Sequence, residues 1–399
     1  MPRPWGRYSG LAYLLLVLFL PLNILLVAFG LPSSRWILQE AGGHGLALTA
    51  GLGAVVVVAA ALSRSVDRAQ WRFAAAIAAW SGGSALSMLV LGSTTDVRYL
   101  YVAMTTTAVA IASALLTPAM RRALFVASGW LFGWLSIAAG ISDLLWDWPQ
   151  VLVADPRLGD LMSSLGLQTD GLGVLNGLSP GRVFLAMNCA VVLVYLVRLR
   201  PNPRHHVVVC VGLAAALLWS FGRVGLLAVT LGLVLTLIPW ERLRPVWLFT
   251  ALLAIPVLPL VASRLVQVSD STGQWRFALW WTYLDNPALW SPFGLGPQAP
   301  PDPIRGHAHN QVLESLASGG LVSLLGLLAF LWLASSAAIR VARSDNRVTM
   351  AVAFAASGIF ATDVLTFGGA STVVNSALVL VIIVIAGAMR QPVKATMSP

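Results

Sequence analysis

The chain reads as long apolar blocks broken by short polar joints. Blocks long enough to cross the ~30 Å of a bilayer's hydrocarbon centre on residues 11–30, 46–62, 73–92, 99–117, 123–141, 182–197, 206–221, 224–239, 245–261, 319–338, 348–366 and 373–389. Each predicts a membrane-spanning helix, so the expected fold is an all-α polytopic membrane protein of about twelve spans. The seventh and eighth blocks almost touch. Arg3 and Arg7 ahead of Leu11 resemble the start of a signal peptide. The apolar stretch to about Gly30 outruns the ~7–15 residues of a signal core, so it reads as a first span with a kink expected at Pro21.

Most joints are short. Two are long: one runs from about Ser142 to Gly181, the other from about Ala262 to His309, with a polar junction reaching residue 318 before the tenth span. Both fall on the same side of the membrane, and loops of that length without obvious structure are usually functional. The expected organisation is five spans in 1–141, an outer segment 142–181, four spans in 182–261, a large outer loop 262–318, and three spans with a tail in 319–399. The chain contains no internal repeat, low-complexity tract or separable soluble domain.

Composition names the solvent. The 399 residues are 58% hydrophobic and 10% charged, with a mean hydropathy of +0.82, against about 25% charged in a soluble domain. Water cannot hide that much apolar surface; a bilayer does. Sixteen Trp suit the membrane interfaces, where an amphipathic ring is stable. Charge then sets the orientation. With the N-terminus in the cytoplasm, the inner side holds 17 of the 25 basic residues and three acids, and the outer side holds eight arginines and twelve acids, counting Asp363 towards the outer end of the eleventh span. The balance of +14 inside and −4 outside follows the positive-inside rule. The net charge of +10 is thereby explained, and no nucleic-acid partner is needed. Cys189 and Cys210 lie in apolar runs without metal-ligand spacing and read as small core residues rather than a disulfide.

The outer cations are all arginine: Arg35, Arg98, Arg157, Arg182, Arg223, Arg264, Arg276 and Arg305. Arg223 stands between two apolar runs at the outer boundary, where a guanidinium is costly unless it meets an anion or carbonyls. Its planar fork suits phosphate oxygens; the plainer reading is an arginine snorkelling from a helix end. His307-Ala308-His309-Asn310 closes the second long loop, followed by Glu314, Gly319-Gly320 and Ser323. A neutral imidazole there can take a proton from a sugar hydroxyl near pH 7. Glu314 either orients a ring, binds sugar, or is a solvated interfacial acid. By itself, a His at a loop–helix junction is more often structural than catalytic.

His309-Asn310, nine residues, Gly320 and then Ser323 three further on resemble the signature of the O-antigen ligase and polymerase family. That signature is His, then Asn, Ser or Gln, nine residues, Gly, and Gly, Thr or Tyr three later; Ser323 departs from the last position but stays small. Arg223 resembles the family's Ser-Arg-Gly arginine at the start of a span, with Gly222 and Val224 as departures. Arg276, four residues before Trp280 and upstream of Gly294-Leu295-Gly296, resembles a second family arginine; Arg182 with Asn188 resembles a further element at the start of the sixth span. The resemblance covers about residues 180–335.

It implies a GT-C-like glycosyltransferase in the cytoplasmic (inner) membrane, with cytoplasmic termini and a periplasmic active site. The implied donor is a glycan on undecaprenyl diphosphate, and the acceptor is a hydroxyl of lipid A-core or of a second polyprenyl-linked glycan. His309 is then the base, and Arg223 and Arg276 neutralise the leaving diphosphate. Arg182, Arg305, His307, Asn310 and Glu314 are read as substrate-binding candidates, although His307 has no counterpart in the signature. Attack opposite the diphosphate inverts the anomeric centre. The donor is already activated, so neither a nucleotide, a metal nor any other cofactor is expected. Length and the His motif favour the ligase over the polymerase.

Other signals compete weakly. Asp143 and Asp147 could mimic a metal-binding pair, but their spacing is poor for one ion in a loop, and the intervening Trp146 suits an interfacial anchor. Gly294-Leu295-Gly296-Pro297 lacks the strand–helix context of a nucleotide loop and reads as a turn. A transporter would bury ionisable residues at mid-membrane, whereas only Asp363 falls within a span here.

Overall fold

In a computed structural model of the protein, the described residues are 6–19, 44–63, 66–92, 98–146, 152–153, 173–175, 182–197, 203–236, 243–263, 271–297, 308, 310–341, 348, 352 and 376–389. The chain opens with α1 (Gly6–Phe19), α2 (His44–Ser63), α3 (Arg68–Leu91) and α4 (Arg98–Leu115). Next, α5 (Pro118–Trp130) runs through a π-helical turn, Leu131–Leu135, into α6 (Ser136–Trp146). Two short strands, β1 (Leu152–Val153) and β2 (Val174–Leu175), pair antiparallel. After them come α7 (Arg182–Val197), α8 (Pro203–Trp219), α9 (Arg223–Thr236) and α10 (Pro245–Ala262). The last elements are α11 (Ser271–Leu284), a 3-10 turn (Pro287–Trp290), α12 (Gln311–Val341) and α13 (Ser376–Met389).

Local chemistry explains several boundaries. Asp67 accepts from the Gln70 backbone N–H at 2.9 Å while the Gln70 side chain accepts from the Asp67 N–H at 3.1 Å. This capping box satisfies two donors that α3 would otherwise leave open. Thr117 caps α5 ahead of Pro118, whose missing N–H is harmless at a first helical position.

Among the described residues four helical segments, Arg68–Leu91, Pro118–Leu145, Pro245–Ala262 and Gln311–Val341, are long and apolar enough to cross a membrane, and several shorter helices are apolar. The surface says what surrounds them. Leu62, Leu89, Trp247, Leu258 and Leu325 are exposed, while Ser81, Ser84, Ser87, Thr105, Thr106, Ser318 and Ser323 are buried. An exterior this apolar around a hydroxyl-bearing interior is stable in hydrocarbon and not in water. Among the described residues the protein is helical apart from the β1–β2 pair, and it is membrane-embedded. At its centre is α13, buried on every side from Ala377 to Met389.

The tightest seam joins α3 to α12, which run antiparallel. A Cβ on Gly83 would meet the Ser323 backbone nitrogen at 2.6 Å, and one on Gly326 would collide with the Trp80 backbone. Close backbone approach through small residues is how helices associate without a hydrophobic driving force between them. Hydrogen bonds cross the same seam: Trp80 Nε1 donates to Ser315 Oγ at 3.0 Å, Ser84 Oγ to Ser318 Oγ at 3.1 Å, and Ser323 Oγ to the Trp80 carbonyl at 2.7 Å.

Contacts between helix ends fix two poles. Tyr99, at the start of α4, donates to the Pro297 carbonyl, placing that start beside the loop that precedes α12. Arg121, just past the end of α4, lies against Gly387 near the end of α13. Phe125 stacks on Tyr195 near the end of α7. Near the other ends of those helices, Ser376 of α13 donates to Asn188 of α7 at 2.9 Å. The starts of α4, α7, α9, α12 and α13 therefore share one pole.

Three details differ from the sequence reading. The second long segment is not structureless, because α11 and the 3-10 turn lie within it. The helix of the tenth expected span, α12, begins at Gln311, inside the stretch read as loop, and it is broken at Gly320. The first helix, expected over 11–30, is described over Gly6–Phe19; Pro21 lies outside the described residues, as does all of the eleventh block except residues 348 and 352.

Candidate functional site

The junction at the start of α12 is assembled from four directions. Asn310 is fully buried. Its Oδ1 accepts from the backbone N–H groups of Val312 at 3.1 Å and Leu313 at 3.4 Å, which caps α12. Its Nδ2 donates to the Pro256 carbonyl at 2.9 Å and ties the junction to α10. Pro256 and Pro259 both lie inside α10 and disturb its backbone ladder there.

Ala308, the residue between the two histidines, is held on both its polar atoms. Glu314 Oε2 accepts from its N–H at 3.2 Å, and Trp280 Nε1 donates to its carbonyl at 2.6 Å. Its relative exposure is 0% and that of Glu314 is 4%. Trp280 belongs to α11, one turn after Arg276, so this clamp joins the helix carrying Arg276 to the segment carrying His307 and His309. Beneath the clamp, Leu279, Trp280 and Tyr283 pack with Leu260, Leu289, Leu313, Leu316 and Ala317 in a second hydrophobic cluster.

The third sequence element, Gly294-Leu295-Gly296, fills the break in α12. Gly320 has φ 60° and ψ −153°, a conformation essentially confined to glycine. The freed groups find partners in this loop. Leu321 N–H donates to the Pro292 carbonyl at 3.0 Å, and the Ala317 carbonyl accepts from Leu295 and Gly296 at 2.7 and 3.1 Å. Ser87, from α3, donates to the Phe293 carbonyl at 2.6 Å and anchors the loop from the far side. The turn expected at 294–297 is thus a plug that completes a broken helix.

The arginines form a second group at the same pole. Arg182 opens α7 and Arg223 opens α9. One turn inside, a Cβ on Gly225 would meet the Ala186 carbonyl at 2.6 Å, so the two helices lie side by side with their N-termini together. Helix N-termini carry partial positive charge from unpaired N–H groups, which favours an anion.

Of the residues expected to act, Asn310 and Glu314 are seen in full, and both brace the junction. Arg182, Arg223 and Arg276 are placed by their helices; their side chains are not described. Arg305, His307 and His309 lie outside the described residues, as does Asp147. Asp143 accepts from the Leu152 N–H at 2.7 Å and thereby holds β1 to the end of α6. Cys189 and Cys210 are free thiols within α7 and α8. Sequence reasoning used Trp280 only to mark the motif of Arg276 and gave it no role of its own. The signal was an indole in a supposed loop, since a buried indole N–H needs an acceptor.

Fold and junction together define a helical membrane protein with a hydrogen-bonded polar junction around a broken helix. No protein-family model matches the chain, and comparison with the curated proteins finds no match either.

Proposed function

We propose that the protein is an O-antigen ligase-like, GT-C-like glycosyltransferase of the inner membrane, moving a glycan from undecaprenyl diphosphate to a hydroxyl of lipid A-core on the periplasmic side. The observation that carries the reading is the clamp on Ala308. It joins the helix of Arg276 to the segment of His309, at the pole where Arg182 and Arg223 also open helices. In the proposed reaction His309 takes the proton of the acceptor hydroxyl, whose oxygen bonds to the anomeric carbon as the carbon–phosphate oxygen bond breaks. The electron pair leaves on the diphosphate, where Arg223 and Arg276 stabilise the developing charge. Arg182, Arg305 and His307 contribute to substrate binding, and Asn310 and Glu314 hold the junction in place.

The test is direct. Purified protein given an undecaprenyl-diphosphate glycan should transfer it to lipid A-core and should continue after thorough chelation with EDTA. Transfer only to a second polyprenyl-linked glycan would assign the polymerase reaction instead. Loss on chelation, restored by Mg²⁺ or Mn²⁺, would refute the arginine mechanism. One observation favours a different class: broken membrane helices also mark transporter binding sites, and α12 is broken at Gly320. Uptake of the lipid-linked glycan into reconstituted vesicles, without transfer, would decide for the transporter.

The same reading fixes orientation. In a chain whose native cysteines are replaced, a cysteine at Asn202 should be labelled only from the cytoplasm, and cysteines at Asp155 and Asp285 only from outside. External labelling at 202 would overturn the twelve-span topology.

A further inference from the structure

Gln311 is the first residue of α12, directly after the Asn310 cap and one turn before Glu314. It is 1% exposed. Its Nε2 donates to Ser315 Oγ at 3.2 Å, the oxygen that also accepts from Trp80 Nε1. Its Oε1 has no partner. Neighbouring polar side chains in this half of α12 are satisfied: Ser318 donates to the Glu314 carbonyl at 2.8 Å and Ser323 to the Trp80 carbonyl at 2.7 Å. Among the described side chains of 311–323, Gln311 alone keeps a buried atom unmatched. Buried polar atoms are nearly always paired, and an exception in a native protein asks for an explanation, of which a bound polar group is one.

The chemistry of that ligand follows from the amide. Its oxygen and nitrogen are assigned from the surrounding bonds. In the orientation given, an acceptor is unmet; in the flipped one Ser315 would donate to the oxygen, and an N–H donor would be unmet. A hydroxyl group both donates and accepts, so it satisfies either orientation, whereas a carbonyl or an ammonium satisfies one. Ser315 fixes the amide from behind and is itself held by Trp80, so the unmet atom is supported by a rigid chain across the α3–α12 seam.

We infer that Gln311 binds a hydroxyl of the acceptor sugar at the start of α12, as a substrate-positioning and specificity-determining residue. This rests on the transferase reading above. The substrate hydroxyl is recognised but not transformed, and no proton or bond is exchanged at Gln311.

The experiment uses the full chain in lipid nanodiscs, an undecaprenyl-diphosphate glycan, lipid A-core, and versions of that acceptor lacking one hydroxyl each on the sugar that is extended. Wild-type kcat/KM should fall roughly 10–100-fold for one deoxy acceptor, the scale of leaving one buried polar group unpaired. Gln311→Leu should show a similar fall on the parent acceptor, mainly in KM, with no further loss on that deoxy acceptor. Gln311→Glu keeps an accepting oxygen at the same place and should restore discrimination between the two. If losses from Gln311→Leu and from every deoxy acceptor multiply, with the variant folded and inserted, the subsite is wrong and the transferase stands. If wild-type protein transfers to no acceptor, both readings fall together.

Discussion

His309→Ala should leave donor affinity nearly intact while lowering turnover by roughly 10²–10⁴-fold, the usual worth of a positioned general base. His307→Ala should be mild, because it removes one substrate contact and not the base. The two residues are imidazoles on either side of Ala308, whose N–H and carbonyl are fixed by Glu314 and Trp280. Loss of either ring therefore leaves the peptide clamp in place, and the comparison isolates chemistry from folding. Arg223→Ala and Arg276→Ala should behave differently, weakening donor binding and turnover together, because a diphosphate contact strengthens as charge develops. Single-turnover rates and donor binding, measured on variants of verified insertion, check the pattern. A dead His307→Ala beside an active His309→Ala would shift the base by two residues and end the present assignment.

Gly320→Ala should be the most damaging single change to stability. A Cβ at that position would collide with the Pro292 carbonyl, in a backbone conformation that non-glycine residues rarely adopt. Strain of this kind costs about 1–3 kcal/mol, and forcing extra atoms into a packed site costs about 1–3 kcal/mol more. Together these come to about 2–6 kcal/mol, a large fraction of the roughly 5–15 kcal/mol that holds a typical domain folded. Gly82→Ala is the matched control, because nothing lies within 4 Å of a Cβ there. Thermal denaturation in detergent, followed by size-exclusion chromatography, should show a large fall in Tm for Gly320→Ala and little change for Gly82→Ala. Equal melting of the two would mean that the break in α12 is not part of the folded state.

Hydropathy located α2, α3, α4, α7 and α10 to within about five residues, because transfer into hydrocarbon depends on composition summed over a window. The same averaging hid α11. Trp275, Arg276 and Trp280 make that stretch too mixed for a span, yet Leu279, Trp280 and Tyr283 line one face at helical spacing and pack on Leu313 and Leu316. Averaging also delayed the start of α12. Gln311, Glu314, Ser315 and Ser318 read as polar, and they are buried because hydrogen bonds within α12, to Ala308 and across to α3 make their burial tolerable. In the site, the resemblance marked Gly320 and Ser323, but only the packing explains them. Gly320 supplies the break, and Ser323 fits against Gly83 while its hydroxyl meets the Trp80 carbonyl. Which partner a Trp or Ser finds 200 or more residues away is a property of packing, and no local pattern encodes it.

The seam between α3 and α12 also sets a timetable for biogenesis. Trp80 and Ser315 are 235 residues apart, so at roughly 5–20 residues per second the ribosome delivers α12 on the order of ten to fifty seconds after α3. Ser81 can wait, because it bonds back to the Ile77 carbonyl within its own helix and later receives Thr106 from α4. The Trp80 indole and the Ser84 hydroxyl look to α12 for the partners described above. Until those arrive, α3 is a polar-faced helix in lipid and needs shelter from an insertase or a neighbouring chain. A nascent chain arrested before residue 311 never makes the bonds of this seam.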